Sequence, residues 1–179
     1  MPPFRRRAAL ALILLAATGW GAAATAQEIR WDIYYRLHTA FRGAEEPLAV
    51  VNGGVRDQAA RLAPRAEVQS QFWRIAVAGD GFVRITSMFT GPWVCLDVIT
   101  EGGFLKDGAE MRACTGSPTQ SWKIEPDEGR FRLRNAALGR EVCLEAITGG
   151  GEDGLAAMRP CGFWGTQFWV LEPTGHVAQ

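Results

Sequence analysis

The chain has 179 residues, 47% of them hydrophobic, with 19 basic and 19 acidic side chains and a formal net charge of zero. That composition supports one packed domain of ordinary size, and the absence of any basic block argues against a nucleic-acid partner. Four cysteines and only two histidines, His38 and His176, bound the covalent and metal chemistry open to it.

In chain order, residues 1–26 read as a leader. Arg5, Arg6 and Arg7 form a basic start, Ala8 to Ala17 is an apolar run, and Ala24-Thr25-Ala26 has the small–x–small form of a signal-peptidase site. The run is shorter than the roughly 20 residues that span a bilayer. A cleaved secretory signal is therefore favoured over a transmembrane anchor, and no membrane insertion is expected after cleavage. The mature chain would run from Gln27 to Gln179, 179 − 26 = 153 residues, with 19 − 3 = 16 basic against 19 acidic side chains. Secreted or periplasmic, it would fold where even numbers of cysteines pair.

The remainder, 27–179, is built on a repeat. Gln71-Phe72-Trp73 returns as Gln120-Ser121-Trp122 and Gln167-Phe168-Trp169, with the tryptophans 49 and 47 residues apart. A fixed period of that length means one supersecondary unit used three times, over about 31–78, 79–126 and 127–173. Tyr35-Arg36-Leu37 opens the first unit and matches Val83-Arg84-Ile85 and Phe131-Arg132-Leu133, the alternation of a half-buried strand. Gly43, Gly91 and Gly139 follow as turn positions. A second strand carries Leu48, Leu96 and Leu144; a third carries Leu62, Met111 and Met158. Between them lie Asn52-Gly53-Gly54, Glu101-Gly102-Gly103 and Gly149-Gly150-Gly151, polar loops without helical periodicity. The fourth strand holds the tryptophan, and its period of two places Gln71, Trp73 and Ile75 on one face. The expected fold class is all-β, three repeats of about four strands each.

The cysteines keep the same register. Cys95 lies 19 residues before Cys114 and Cys143 lies 18 before Cys161, while the first unit has Pro47 and Arg65 at the matching places. Both members of the pair are lost together, which predicts the bridges Cys95–Cys114 and Cys143–Cys161. Zinc is the competing use of these thiols, but no Cys-x-x-Cys occurs and histidines are scarce. No cofactor is implied.

Three Gln-x-Trp copies in register, with Cys95-Leu96-Asp97 and Cys143-Leu144-Glu145 before two of them, resemble the ricin B-type β-trefoil lectins across Tyr34 to about Pro173. The resemblance implies a β-trefoil with pseudo-threefold symmetry, six strands closing a barrel and three hairpins capping it. It also implies shallow carbohydrate pockets, up to one per repeat, with a carboxylate two residues after the first cysteine. That position is Asp97 in the second repeat, Glu145 in the third and Ala49 in the first, so the first repeat is expected not to bind. The chain departs from the family where an aromatic usually precedes the second cysteine: Arg112 and Arg159 stand there. It departs again before each motif glutamine, where Ser70, Thr119 and Thr166 replace the usual asparagine. The arginines can donate to a sugar or pair with the nearby acid instead.

A sugar site needs a fixed carboxylate and an aromatic face for the ring's C–H patch. Trp73, Trp122 and Trp169, with Gln71, Gln120 and Gln167, read as structural. Trp164, beside Phe163 in a short glycine-flanked loop, is the preferred stacking surface, with Trp93 and Phe104 as weaker candidates in the second repeat. The expected carbohydrate-binding residues are Asp97, Arg112, Thr119, Glu145, Arg159, Trp164 and Thr166. The expected function is a secreted, non-catalytic lectin-like module whose partner is a glycan or polysaccharide. The alternative is a trefoil with eroded sugar sites, acting as a protein-interaction or toxin-accessory subunit with a protein partner. A glycosidase using paired carboxylates has almost no distinctive signal behind it.

Overall fold

The computed structural model describes residues 28–102 and 105–178, so the expected leader at 1–26 lies outside the described residues. Its twelve strands fall four to a repeat. The first repeat holds β1 (Ile33–Thr39), β2 (Leu48–Val50), β3 (Ala60–Leu62) and β4 (Trp73–Gly79). The second holds β5 (Phe82–Ser87), β6 (Val94–Ile99), β7 (Gly108–Ala113) and β8 (Trp122–Asp127). The third holds β9 (Arg130–Asn135), β10 (Val142–Ala146), β11 (Ala156–Pro160) and β12 (Trp169–Val177). Strands β4–β5, β8–β9 and β12–β1 pair antiparallel along their lengths, and β1–β4, β5–β8 and β9–β12 join these pairs into a closed six-stranded barrel. Closure removes the open edges that would otherwise recruit other chains. The hairpins β2–β3, β6–β7 and β10–β11 cap one end. This is a β-trefoil.

Local chemistry explains the turns. Glu128 and Gly129, with φ of 49° and 79°, form the two-residue loop between β8 and β9, and positive φ at both centres suits a right-twisted hairpin. The caps are tied around the pseudo-threefold axis by one hydrogen bond used three times. Leu62 N–H donates to Gly154 O, Met111 N–H to Gln58 O and Met158 N–H to Asp107 O, each at 2.8 Å. All three acceptors have positive φ (80°, 71° and 56°), which turns their carbonyls toward the next repeat.

The core is where the motif tryptophans meet. Trp73, Trp122 and Trp169 are fully buried, with Ile75, Ile85, Leu133 and Leu171 around them. Each indole Nε1–H donates at 2.8 Å to the carbonyl of Leu48, Leu96 or Leu144, so each ring links its repeat's barrel strand to its own cap. Burying 150–250 Å² per ring corresponds to about 4–6 kcal/mol of gross transfer free energy each.

Two expectations change. The motif glutamines do not share a strand with the tryptophans: Gln71, Gln120 and Gln167 end short 3-10 turns at Gln69–Gln71, Pro118–Gln120 and Gly165–Gln167. The cause is that each side chain hydrogen-bonds the backbone of the loop preceding it, which holds the main chain in a turn. The glycine loops of the first and third repeats also carry 3-10 turns, Gly54–Arg56 and Gly150–Glu152.

Both disulfides are present, each with Cα atoms 5.1 Å apart. The backbone bond they accompany survives in the first repeat without them: Arg65 N–H donates to Glu45 O at 2.8 Å, as Cys114 N–H does to Trp93 O and Cys161 N–H to Glu141 O. There the Arg65 guanidinium instead grips the Glu172 carboxylate through two hydrogen bonds of 2.8 and 2.6 Å.

Adjacent repeats are also stitched just after each first strand. Ala40 N–H donates to Phe168 O, Met88 N–H to Phe72 O and Ala136 N–H to Ser121 O, at 2.8, 2.8 and 2.9 Å. Each repeat therefore lays its first turn on the Gln-x-Trp segment of the repeat before it in cyclic order.

Candidate functional site

The chemistry of the site begins with the motif glutamines. Gln71 accepts from Ala66 N–H at 2.9 Å and donates to Pro64 O at 2.7 Å. Gln120 does the same with Thr115 N–H and Ala113 O, and Gln167 with Gly162 N–H and Pro160 O. In two repeats the amide makes one bond more: Gln120 Nε2–H donates to Asp97 Oδ2 at 2.9 Å, and Gln167 Nε2–H to Glu145 Oε2 at 2.6 Å. Ala49 offers the first repeat no such acceptor. A buried amide thus holds one oxygen of each half-buried carboxylate. Among the described residues, Gln167 is the sole hydrogen-bond partner of the Glu145 carboxylate.

Glu145 opens onto a groove of about 350 Å³. Thr148 and Thr166 line it with hydroxyls, and Phe41, Phe163 and Trp164 line it with rings. The rings stand out in solvent, Phe41 61%, Phe163 95% and Trp164 64% exposed. The structure thereby brings three sequence-expected residues, Glu145, Trp164 and Thr166, to one place. It has the polar–aromatic make-up of a shallow sugar site, and its volume lies at the small end of the roughly 300–1,000 Å³ typical of ligand clefts.

The other expected residues lie elsewhere. Arg112 pairs with the buried Glu110 at 2.6 Å, because its β-ladder neighbour is Cys95, whereas Asp97 is opposite Glu110. Arg159 donates to the carbonyls of Met158 and Lys106 at 2.8 and 3.3 Å. Neither arginine pairs with the carboxylate of its repeat. In the second repeat, the Thr119 hydroxyl lies 2.8 Å from that of Ser117, and Trp93 is 81% exposed. Phe104 lies outside the described residues.

Sequence reasoning missed Phe41 and Thr148. Phe41 carries a usable signal, since it stands two residues before Gly43 as Phe89 does before Gly91 and Ala137 before Gly139. It also missed the fate of the first-strand arginines, which alternate with apolar residues in what reads as a half-buried strand. Arg36 and Arg132 are buried over the rings of Phe72 and Phe168, at 4.8 and 4.2 Å, whereas Arg84, whose repeat has Ser121 in place of the phenylalanine, is exposed. A second groove of about 250 Å³ runs past Phe82, Lys123, Glu125, Arg134 and Arg140. Burial there pushes the Glu125 carboxyl up, but Arg134 and Lys123 outweigh it and hold the group below its ordinary range.

By sequence, no family model and no curated protein matches the chain. Solved structures do match it in three dimensions. A ricin B-like lectin from Macrolepiota procera, solved with lactose, superposes with a TM-score of 0.61 at 16% identity, over 82% of this chain and 99% of that one. A chain of the Haemophilus ducreyi cytolethal distending toxin superposes with a TM-score of 0.60 at 15% identity, over 94% of this chain and 98% of that one. A mosquitocidal holotoxin gives a TM-score of 0.70 at 15% identity over 82% of this chain, which spans only 18% of the toxin. The fold they share with this chain is the β-trefoil.

Proposed function

We propose that the chain is a secreted, non-catalytic carbohydrate-binding module that recognises a glycan through its third repeat and its second, while the first repeat binds none. The observation that carries this reading is the third-repeat groove, where Glu145, fixed by Gln167, shares a surface with Thr166 and the exposed ring of Trp164. A carboxylate held from behind accepts from neighbouring sugar hydroxyls, and an exposed indole covers the ring's C–H face. Asp97, fixed by Gln120, supports a second and weaker site. Two weak sites on one chain bind a multivalent glycan surface far better than either alone. The lactose complex of the fungal lectin supports the same reading by analogy of fold. Hydrolysis calls for two carboxyls about 5–10 Å apart across the scissile bond, whereas Glu145 is the one acid among the residues lining this groove. Glycan-array binding by the wild type, strongly reduced in Glu145→Ala, less so in Asp97→Ala and lost when both are replaced, is the expected result; an array with no bound glycan refutes the reading.

A second reading is favoured by the near end-to-end match to the cytolethal distending toxin chain and by the exposure of Phe163 and Trp93. On that reading the trefoil is a subunit whose exposed rings pack against a protein partner. Copurification from the native source with a stoichiometric partner, lost in Phe163→Ala, would favour it, provided no saccharide raises the melting temperature.

A further inference from the structure

We infer that the third-repeat groove is shared between two repeats and takes at least two consecutive sugar rings, the second recognised by Phe41 of the first repeat. The inference rests on the carbohydrate-binding reading and adds the size of the ligand and the residue that sets it.

The argument starts from the cyclic stitching of the repeats. The turn after β1 is bonded to the segment that carries the third-repeat site: Ala40 N–H to Phe168 O at 2.8 Å and Phe41 N–H to Gly165 O at 3.2 Å. Arg42, next in the chain, closes the same seam with an ion pair to Asp153 of the third repeat, and its guanidinium lies over the Phe41 ring at 5.8 Å. Asp153 in turn accepts from Gly149 N–H at 2.7 Å, so the anchor is itself fixed. The approach is close: a Cβ on Gly165 would lie 3.3 Å from the Cβ of Phe41, tighter than an ordinary van der Waals contact. Phe41 is therefore held against Gly165, the residue following Trp164, yet leaves 61% of its own surface exposed where it lines the groove.

The same stitch brings each repeat's motif a different visitor. The turn position equivalent to Phe41 is Phe89 against the first repeat's motif and Ala137 against the second's. The first repeat thus has a ring but Ala49 in place of the acid; the second has Asp97 but a methyl group in place of the ring. Only the third combines a fixed carboxylate with an aromatic brought from the neighbouring repeat. A pyranose offers its apolar C–H patch chiefly on one face, so one sugar uses one indole. A further exposed ring held against Gly165, in the same groove of about 350 Å³, suits the next sugar of the chain.

The test is a glycan array of monosaccharides and their di- and trisaccharide extensions, read with the full chain and three variants: Phe41→Ala, Trp164→Ala and Ala137→Phe. The wild type should bind extended glycans about five- to tenfold more tightly than the matching terminal monosaccharides. Phe41→Ala should erase that advantage and leave monosaccharide affinity in place, while Trp164→Ala lowers both. Ala137→Phe, measured in a Glu145→Ala background, should give the second repeat an extended-glycan preference it lacks. Thermal unfolding of Phe41→Ala, unchanged because the ring is exposed, would separate loss of contact from loss of fold. Glycan binding with no advantage for extended ligands, or with one that survives Phe41→Ala, overturns this inference and leaves the carbohydrate reading standing. An array with no bound glycan overturns both.

Discussion

Gln167→Met is the substitution that most closely couples the fold to the site. The methionine keeps the length and lack of branching of the glutamine but removes three hydrogen bonds: to Gly162 N–H, Pro160 O and Glu145 Oε2. Each neutral bond is worth about 1 kcal/mol net, and bonds to charged groups about 1.5–3. Because Glu145 is half-buried and water can replace the lost donor, its share falls to about 1 kcal/mol, for a total near 3. Gln71→Met provides an internal standard, since Gln71 makes only the two backbone bonds and should cost about 2 kcal/mol. Urea unfolding measures both. A cycle of Gln167→Met with Glu145→Ala isolates the amide–carboxylate contact and should return about 1 kcal/mol of coupling. The same Gln167→Met protein should lose glycan affinity at least fivefold, because the carboxylate is no longer aimed. A coupling within about 0.3 kcal/mol of zero, with affinity unchanged, would refute the claim that the motif glutamine positions the site.

Other outcomes follow from the same geometry. Replacing Cys143 and Cys161 together by alanine should cost about 3 kcal/mol for a loop of this size, a fall in melting temperature of about 6–12 °C; a change under 2 °C would count against the bridge as a stabiliser. Trp164→Ala should weaken glycan binding and leave unfolding unaltered, since the ring is mostly in solvent, whereas Trp169→Ala should cost about 3–5 kcal/mol. Stability should also depend on acid pH through Glu172, whose carboxyl is held below its ordinary value of 4.5 by its hydrogen bonds from Arg65, against the opposing effect of burial. A depressed folded-state value means this contribution is complete above about pH 4.5 and is lost as the pH falls through the folded value. Arg65→Met should flatten that part of the profile, and an identical acid limb in wild type and variant would contradict it.

Much of the architecture can be read from three tryptophans. An indole recurring every 47 to 49 residues, with leucines at fixed offsets, specifies a shared core because a buried ring and its buried N–H must both be satisfied. The cysteine register was equally legible, since paired loss leaves a pattern in a single chain. The site was legible only where it is local in sequence: Glu145, Trp164 and Thr166 fall within about twenty residues of one another. Phe41 was not: its place before Gly43 marks it as a repeat position shared with Phe89, but what carries it to the groove is a backbone stitch between the first and third repeats. The arginines show the other limit. Arg112 and Arg159 stand at suggestive positions, but β-ladder register decides what they face, and it gives them Glu110 and backbone carbonyls. Gln71, Gln120 and Gln167 read as strand residues from the sequence because period-two patterns do not distinguish a strand's first residue from the turn feeding it.

An NMR titration of the indole N–H resonances with glycans taken from the array tests the central claim most directly. The account predicts that the Trp164 resonance moves in step with binding, while those of Trp73, Trp122 and Trp169, sealed in the barrel and bonded to Leu48, Leu96 and Leu144, stay where they are. A saturating glycan that leaves Trp164 unmoved would contradict it.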